Sequence, residues 1–166
     1  MVAIHLNNLA MLLQATNRQA EAEPLMRRAL GIDEASYGPD HPEVAIRLNN
    51  LAALLQATKR LAEAESLYMR ALGIDETSYG PDHPLVASRL NNLATLFHDT
   101  NRRDEAEPLM RRALGIYVSS MGLEHPDSQT VRDNYIELLQ DMDLPEAEIE
   151  QRVQAVVSES RGPSTE

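Results

Sequence analysis

The stretch LNNLAMLLQAT, residues 6–16, returns as LNNLAALLQAT at 48–58 and as LNNLATLFHDT at 90–100. The period is 42 residues, and 33 of 42 positions agree between residues 4–45 and 46–87. A unit of this size cannot bury its apolar face alone, so neighbouring units must stack on one another. The sequence therefore predicts one repeat domain over residues 1–157, with units at 4–45, 46–87 and 88–129 and a degenerate capping unit at 130–157.

Each unit contains two runs of apolar residues at helical spacing. The first run in the first unit is Leu6, Leu9, Ala10 and Leu13. The second run is Ala22, Leu25, Met26 and Ala29. Between them the sequence ATNR, residues 15–18, predicts a turn in which Thr16 or Asn17 caps the second helix. No alternating strand pattern accompanies these runs, so the predicted fold is all-α and built from antiparallel helix pairs.

The linker GPDHP, residues 38–42, recurs at 80–84 and as GLEHP at 122–126. It separates the second helix of one unit from the first helix of the next. We expect Gly38 to take the left-handed conformation that ends a helix, Asp40 to be an N-cap and Pro42 to lie in the first turn. Glu43, three residues after Asp40, completes a capping box in the first linker.

The three linkers share a histidine next to an acid, at His41, His83 and His125. We expect a structural role for these side chains, in which they bond the backbone at the turn. A metal ion shared among them is excluded by distance, because packed helices lie about 8–10 Å apart and zinc binds nitrogen at about 2 Å.

The composition excludes several classes of protein. The chain has 26 acidic and 15 basic residues and a formal net charge of −11, which opposes binding to nucleic acid. No apolar run is long enough to span a bilayer and the first residues do not form a secretory signal, so no membrane partner is expected. Because the chain lacks cysteine, neither a disulfide nor a thiolate zinc site is expected, and the cytoplasm is the default location.

Catalytic motifs are missing from the sequence. It contains no glycine-rich phosphate loop, no HExxH, no GxSxG and no dinucleotide fingerprint. Its acids recur with the repeat, which is typical of an architectural role and not of a tuned catalytic pair. We therefore expect no enzyme activity, no cofactor and no metal site.

The second helix of each unit has two unusual features. A glycine recurs at 31, 73 and 115, where it costs about 1 kcal/mol relative to alanine, and close approach of another helix is the expected reason. Paired arginines at 27–28 and 111–112 are expected on a solvated face with ion pairs, since Asp33 and Glu34 follow in the first unit.

A family resemblance covers residues 4–129. The pattern that carries it is Leu9-Ala10, Leu13, Ala22, Met26 and Ala29, which resembles the tetratricopeptide repeat (TPR), with Leu6 where that family often has Trp. A period of 42 also lies in the range of HEAT and armadillo units, and the spacing of small residues favours the TPR. More narrowly, LNNLA…EAEPLMRRALGI…GPDHPEVA is similar to the 42-residue version found in kinesin light chains and in many bacterial proteins. No motor-associated coiled coil is present, so the resemblance implies a repeat type and not a role in transport.

The resemblance implies a right-handed superhelical solenoid in which the first helices line a concave groove for an extended peptide or a partner helix. On a helical wheel, one side of each first helix lies away from the core stripe. The groove residues expected on that side are Asn7, Met11 and Gln14, then Ile46, Asn49 and Gln56, then Ser88, Asn91, Thr95 and His98. Arg47 and Arg89 are expected at the margin.

Asn7, Asn49 and Asn91 form a row of amides within this set. A primary amide donates to a peptide carbonyl and accepts from a peptide N–H. Helices about 10 Å apart match about three residues of extended chain, so the row is a candidate for reading one peptide strand, as the resemblance also implies. In the alternative, these amides bond neighbouring helices. The second asparagines, Asn8, Asn50 and Asn92, are assigned to contacts between repeats.

The two ends differ from the middle of the chain. Met1 begins almost inside a first helix, which indicates a chain cut from a longer array and predicts an exposed helix face that promotes self-association. Residues 144–157 predict a final, solvating helix, and residues 158–166 a disordered tail. Two functions follow: a scaffold that binds a protein or peptide, or a self-associating or regulatory module of a larger protein.

Overall fold

The computed structural model describes residues 1–160, which form eight α-helices and no strand. In chain order the helices are α1 (Val2–Ala15), α2 (Gln19–Tyr37), α3 (Pro42–Ala57), α4 (Leu61–Tyr79), α5 (Pro84–Asp99), α6 (Arg103–Met121), α7 (Pro126–Asp141) and α8 (Glu146–Ser160). The all-α prediction and the division of each repeat into two helices are confirmed. None of the helices within residues 1–160 has the length and hydropathy that a membrane span requires.

The chain divides into two compact units, Met1–Ser78 and Tyr79–Glu166. Unit 1 holds α1 to α3 and α4 up to its penultimate residue, and unit 2 holds α5 to α8. In unit 1, α1 packs on α2, and α2 packs on α3. In unit 2, α5 packs on α6, and α6 packs on both α7 and α8. The same order of packing therefore recurs within each unit.

Small residues let the two helices of a pair approach closely. In α2, Ala22 and Ala29 are fully buried and Met26 is 1% exposed. Larger aliphatic side chains fill the space between successive helices, as Val44 and Leu48 of α3 do within one apolar cluster of unit 1. Full burial of such a side chain stabilises the fold by about 1.5–3 kcal/mol, so packing holds this protein together with little help from aromatic residues.

Leu9 is an exception to the predicted core. It was expected on the buried face of the first helix, but it is 47% exposed. The residue at the same repeat position in α3, Leu51, is fully buried. The prediction is wrong for Leu9 because, among the described residues, no helix covers this side of α1.

The linkers place a histidine at the N-cap of the following helix. His41 has the extended conformation (φ −81°, ψ 144°), and its Nδ1 accepts the backbone N–H of Glu43 at 3.2 Å. Asp40 is not the N-cap, and the capping box is wrong, because Pro42 is the first helical residue and the cap is the residue before it. His83 and His125 cap α5 and α7 in the same way. The structural role predicted for these histidines is confirmed.

The other turn residues also differ from expectation. Thr16 does not cap α2 but ends α1, where its Oγ1 donates to the carbonyl of Leu12 at 3.0 Å. Asn17 has a positive φ of 61°, and the residue before α2 is Arg18, whose guanidinium pairs with Glu21. Gly38 has φ 92° and ψ 159°, an extended conformation accessible to glycine rather than the left-handed helical one.

Close approach of another helix is found at only one of the three recurrent glycines. A Cβ atom at Gly115 would lie 3.4 Å from Ser160 Oγ and 3.8 Å from Val156 Cγ1, because α8 crosses α6 there. At Gly31 and Gly73 no described atom lies within 4 Å of that position, so the expectation is wrong for both.

Charged residues of the second helix are not all solvated. Asp33 is buried, and its Oδ2 lies 2.7 Å from Nε of Arg47, with both side chains 6% exposed. The solvated face predicted for Asp33 and the groove margin predicted for Arg47 and Arg89 are therefore wrong, since both arginines are buried. The solvated face with ion pairs predicted for the paired arginines is confirmed for Arg27, which pairs with Glu23, and for Arg111, which pairs with Glu159.

The last helix continues beyond its predicted end. It runs to Ser160, so residues 158–160 are helical instead of part of a tail. The remaining residues of the predicted tail, 161–166, lie outside the described residues.

Candidate functional site

A single narrow line of side chains on α5 is open to solvent. Between Val86 and His98 every residue is buried except five half-buried ones, and these five follow one side of the helix. They are Ser88, Asn91, Asn92, Thr95 and His98, which we call the α5 strip. The sequence predicted four of them as groove residues and assigned Asn92 to a contact between repeats.

Helix α3 carries a matching line. Between Val44 and Gln56 the buried residues again leave one half-buried line. Its members, which we call the α3 strip, are Ile46, Asn49, Asn50, Ala53 and Gln56. The two strips occupy the same repeat positions, because burial by the neighbouring helices repeats with the sequence.

On α1 the predicted groove residues are placed differently. Asn7 is 3% exposed, whereas Met11 is 50% exposed and Gln14 is half-buried. The Nδ2 group of Asn7 donates to Met11 Sδ at 3.4 Å, and its Oδ1 accepts from Nδ2 of Asn50 at 3.1 Å. Asn7 thus lies at a junction between helices.

The same amide link occurs in unit 2. Nδ2 of Asn134 in α7 donates to Oδ1 of Asn91 in α5 at 3.2 Å. In each unit, therefore, an asparagine in the first helix of one repeat donates to the side-chain oxygen of an asparagine in the first helix of the repeat before it. The Nδ2 group of Asn91 has no hydrogen-bond partner within residues 1–160, and it is half-buried on the α5 strip. The contact between repeats predicted for Asn50 is confirmed by its bond to Asn7. The alternative role given to the first asparagines, bonding to a neighbouring helix, is found for Asn7 and Asn91.

Tyrosine hydroxyls hold two of the strip residues. Oε1 of Gln56 accepts from the hydroxyl of Tyr68 at 3.1 Å. Burial raises the pKa of Tyr117 and outweighs its hydrogen bond with Ser88, which lowers it. Both tyrosines thus hold a strip residue through a hydrogen bond from the neighbouring second helix.

One end of the α5 strip carries an ionisable pair. Nε2 of His98 lies 2.8 Å from Oδ2 of Asp141, which joins α5 to α7. The His98 side chain is 16% exposed and that of Asp141 is 49% exposed. Thr95, one turn earlier, donates its Oγ1 to the backbone carbonyl of Asn91 at 2.9 Å. Apart from His98, the strips consist of amides, hydroxyls and apolar groups, and the amides are suited to contacts with a peptide backbone.

Helix pairs that repeat every 42 residues, with an open strip on the first helix, define a helical-repeat protein of the solenoid class. A family model of the tetratricopeptide repeat matches residues 1–77 and again residues 48–117. These matches together cover more than half of the chain, so the chain belongs to the tetratricopeptide repeat family. Repeats of this family generally mediate protein–protein interactions and are typically non-enzymatic scaffolds.

Solved structures agree with this assignment. BtubC (BKLC) from P. vanneervenii superposes with a TM-score of 0.79 at 25% identity, covering 96% of this chain and 61% of that chain. A kinesin light chain-like protein from Podosopora anserina with nearly identical TPR-like repeats superposes with a TM-score of 0.73 at 20% identity, covering 97% of this chain and 77% of its own. The predicted similarity to kinesin light chain repeats is confirmed. This chain thus corresponds to less than two thirds of BtubC, and no curated protein sequence matches it.

Proposed function

We propose that this chain is a protein-interaction scaffold that binds an extended peptide or a partner helix along the open strips of its first helices. The observation that carries the proposal is the pattern of burial on α3 and α5, where one polar strip stays accessible on helices that are otherwise enclosed. Enclosure on all other sides fixes the strip side chains, so little conformational entropy is lost when a ligand binds.

The chemistry of the strips favours recognition of a peptide backbone. Asn91 presents an Nδ2 donor on the α5 strip while Asn134 occupies its carbonyl oxygen. A fixed amide donor binds a peptide carbonyl whatever the peptide side chain is. Apolar members such as Ile46 and Ala53 provide contact area for the side chains of the ligand.

The net charge gives a weaker indication of the partner. At −11 the protein as a whole favours neutral or basic ligands. The strips themselves carry few charges, so the proposal does not require the bound peptide or protein segment to have a particular charge. Because the chain lacks cysteine, the proposal places the scaffold in the cytoplasm.

The test is selection of peptides from a display library, followed by affinity measurements with strip variants. Ala53→Arg places a long side chain on the α3 strip without removing a hydrogen bond, and Asn49→Ala/Asn91→Ala removes two amides. We expect either change to weaken binding of the selected peptides about tenfold or more, while Ala20→Arg, on the exposed face of α2, leaves it unchanged.

Stability must be measured alongside affinity. Asn91 also accepts the bond from Asn134, so the double variant is expected to lose about 0.5–1.5 kcal/mol for that bond. If all three variants bind the selected peptides as tightly as the wild type does, the strips are not the binding site. If the double variant unfolds while Ala53→Arg binds normally, the amides serve the fold alone.

Self-association is a second candidate, favoured by the exposed apolar residues of α1. Five of its large apolar side chains are at least 47% exposed, as is the preceding Met1: Val2, Ile4, Leu9, Met11 and Leu12. Such a surface is typical of a contact with another protein.

A further inference from the structure

One face of α1 exposes side chains that the repeat normally buries. Val2, Leu9 and Leu12 are 57%, 47% and 62% exposed, and we call them the α1 stripe. The residues one repeat later, in α3, are 0–1% exposed: Val44, Leu51 and Leu54. The α1 stripe therefore has the sequence of a packed interface, although none of the described residues covers it.

Unit 1 shows what covers Val44, the counterpart of Val2 one repeat later. There α3 packs against α2, and Val44 and Leu48 share an apolar cluster with Leu30. Two polar links flank the apolar contact. One is the bond from Asn50 to Asn7 at 3.1 Å, and the other joins Nη1 of Arg60 to Oε1 of Glu23 at 2.6 Å.

Unit 2 has an exposed surface that corresponds to the other side of that interface, the side that α3 covers in unit 1. A groove of about 1170 Å³ lies between α7 and α8, with Ile136, Leu144 and Val153 among its apolar lining residues. Helix α8 begins 43 residues after α6, one more than the repeat period. Val153 therefore corresponds to Met110 in α6, which lies two repeat periods after Met26. Met26 is 1% exposed, whereas Val153 is half-buried. We call this surface the α7–α8 groove.

Polar partners for both flanking links are present at these two surfaces. Asn8 holds the repeat position of the donor Asn50, and Asp133 holds that of the acceptor Asn7. Arg18 likewise corresponds to Arg60, and Glu150 to Glu23. All four are exposed: Asn8, Asp133, Arg18 and Glu150. Arg18 already pairs with Glu21 as Arg60 pairs with Glu63, and the pairing of Arg60 shows that such an arginine also reaches a second carboxylate.

We propose that the α7–α8 groove of one copy receives the α1 stripe of a second copy, with Asn8 bonded to Asp133 and Arg18 paired with Glu150. The contact is heterologous, because different surfaces of the two copies meet, and it therefore produces head-to-tail assemblies. It repeats between molecules the packing of α3 on α2 and the hydrogen bond of α3 to α1 within one molecule. The inference does not depend on the peptide-binding strips, which lie on α3 and α5.

The test uses one variant for each surface and then their mixture. Leu9→Glu/Leu12→Glu alters the α1 stripe, and Ala147→Arg/Glu150→Arg alters the α7–α8 groove; all four positions are exposed, so both variants should fold, which circular dichroism checks. Sedimentation velocity at protein concentrations up to about 1 mM should show wild-type mass rising with concentration and each variant alone remaining monomeric. A mixture of the two variants should form a one-to-one dimer and nothing larger, because each pair of copies retains a single intact interface.

Three outcomes overturn the proposal. The first is a wild type that stays monomeric throughout the concentration range. The second is a groove variant that dimerises as the wild type does, which indicates pairing of α1 with α1. The third is a mixture in which the one-to-one dimer does not form, which points to an occupant other than a second copy.

A charge exchange tests the register of the contact. Arg18→Glu and Glu150→Arg, made singly, should each weaken association about fivefold by placing like charges opposite each other. The double variant, which reverses the pair and keeps the net charge, should recover the wild-type association constant. Losses that add in the double variant instead of cancelling would contradict the proposed docking.

Discussion

The junction of α2 with α3 in unit 1 and the junction of α6 with α7 in unit 2 use the same repeat positions with opposite chemistry. In unit 1 the positions hold Asp33 and Arg47, a buried ion pair at 2.7 Å. In unit 2 they hold Tyr117 and Val131, which are 7% and 3% exposed. The attraction within a buried ion pair roughly balances the cost of removing both charges from water. The two junctions show that the repeat accepts either pair of side chains at these positions.

The largest effect should come from breaking the pair in unit 1. Asp33→Ala leaves the Arg47 guanidinium buried without its main partner, since Glu43 lies 3.6 Å away and is itself 44% exposed. The free energy of unfolding should fall by about 3–5 kcal/mol, as measured by urea denaturation. Glu34→Ala is the matched control, because the pair of Glu34 with Arg70 is more exposed and should contribute less than about 1 kcal/mol. Equal losses in the two variants would show that burial of the Asp33 pair is unimportant.

Replacing both Asp33 and Arg47 tests the comparison of the two junctions more directly. Asp33→Tyr/Arg47→Val gives unit 1 the side chains of unit 2 and leaves no unpaired charge. We expect it to recover most of the stability that Asp33→Ala loses, because the cost lies in the unpaired guanidinium and not in the absence of the pair. A double variant as unstable as Asp33→Ala would show instead that the surroundings of Asp33 cannot accept an apolar pair.

The repeat allowed much of this fold to be predicted from the sequence. Apolar spacing such as that of Ala22, Met26 and Ala29 locates both helices of a unit, and burial confirms these residues as core. Cap identity was harder to predict, since Asp40 and His41 are adjacent polar residues and only the start of the helix at Pro42 decides between them. The exposure of Leu9 depends on which helices lie beside α1, and a local pattern does not contain that information.

The candidate site was predictable to a similar extent. Helical geometry alone placed Ser88, Asn91, Thr95 and His98 on one side of a helix, and these residues form a line in the structure. Their role as a binding site remains a prediction. Two of them are held by partners 43 residues away along the chain, as His98 is by Asp141 and Asn91 is by Asn134. Contacts of that kind depend on the distance between packed helices, which periodicity does not determine.

A second contrast between the units concerns Tyr135, which occupies in α7 the repeat position of Leu51 in α3. Both side chains are fully buried, but the hydroxyl of Tyr135 donates to Oε1 of Glu107 at 2.7 Å. Tyr135→Phe should lower the free energy of unfolding by about 1.5–3 kcal/mol, because the acceptor is a carboxylate. Urea denaturation near neutral pH measures the loss, and an unchanged stability would show that the bond makes no net contribution.

The same tyrosine gives unit 2 a pH dependence. Burial, together with the hydrogen bond to Glu107, raises the pKa of Tyr135 above its ordinary value. In the unfolded chain the hydroxyl ionises near its ordinary pKa of about 10, so the folded state holds the proton more tightly. The stability from this group is therefore complete below about pH 10 and is lost as the pH rises towards the raised pKa. The difference in stability between the wild type and Tyr135→Phe should narrow above about pH 10, and a constant difference would contradict this assignment.

The smallest expected change in stability comes from replacing two glycines that occupy the same repeat position, Gly31 and Gly115. A Cβ atom at Gly31 meets no described atom within 4 Å, so Gly31→Ala should gain the helix propensity of alanine, about 0.5–1 kcal/mol, and raise the melting temperature by about 2–4 °C. At Gly115 the new methyl group would lie 3.4 Å from Ser160 Oγ, a tight van der Waals contact with α8, so part of the gain should be lost. Thermal unfolding of the two single variants measures the difference. If both alanines stabilise equally, α8 yields to the methyl group without cost, and the glycine at 115 is no more required by packing than the glycine at 31.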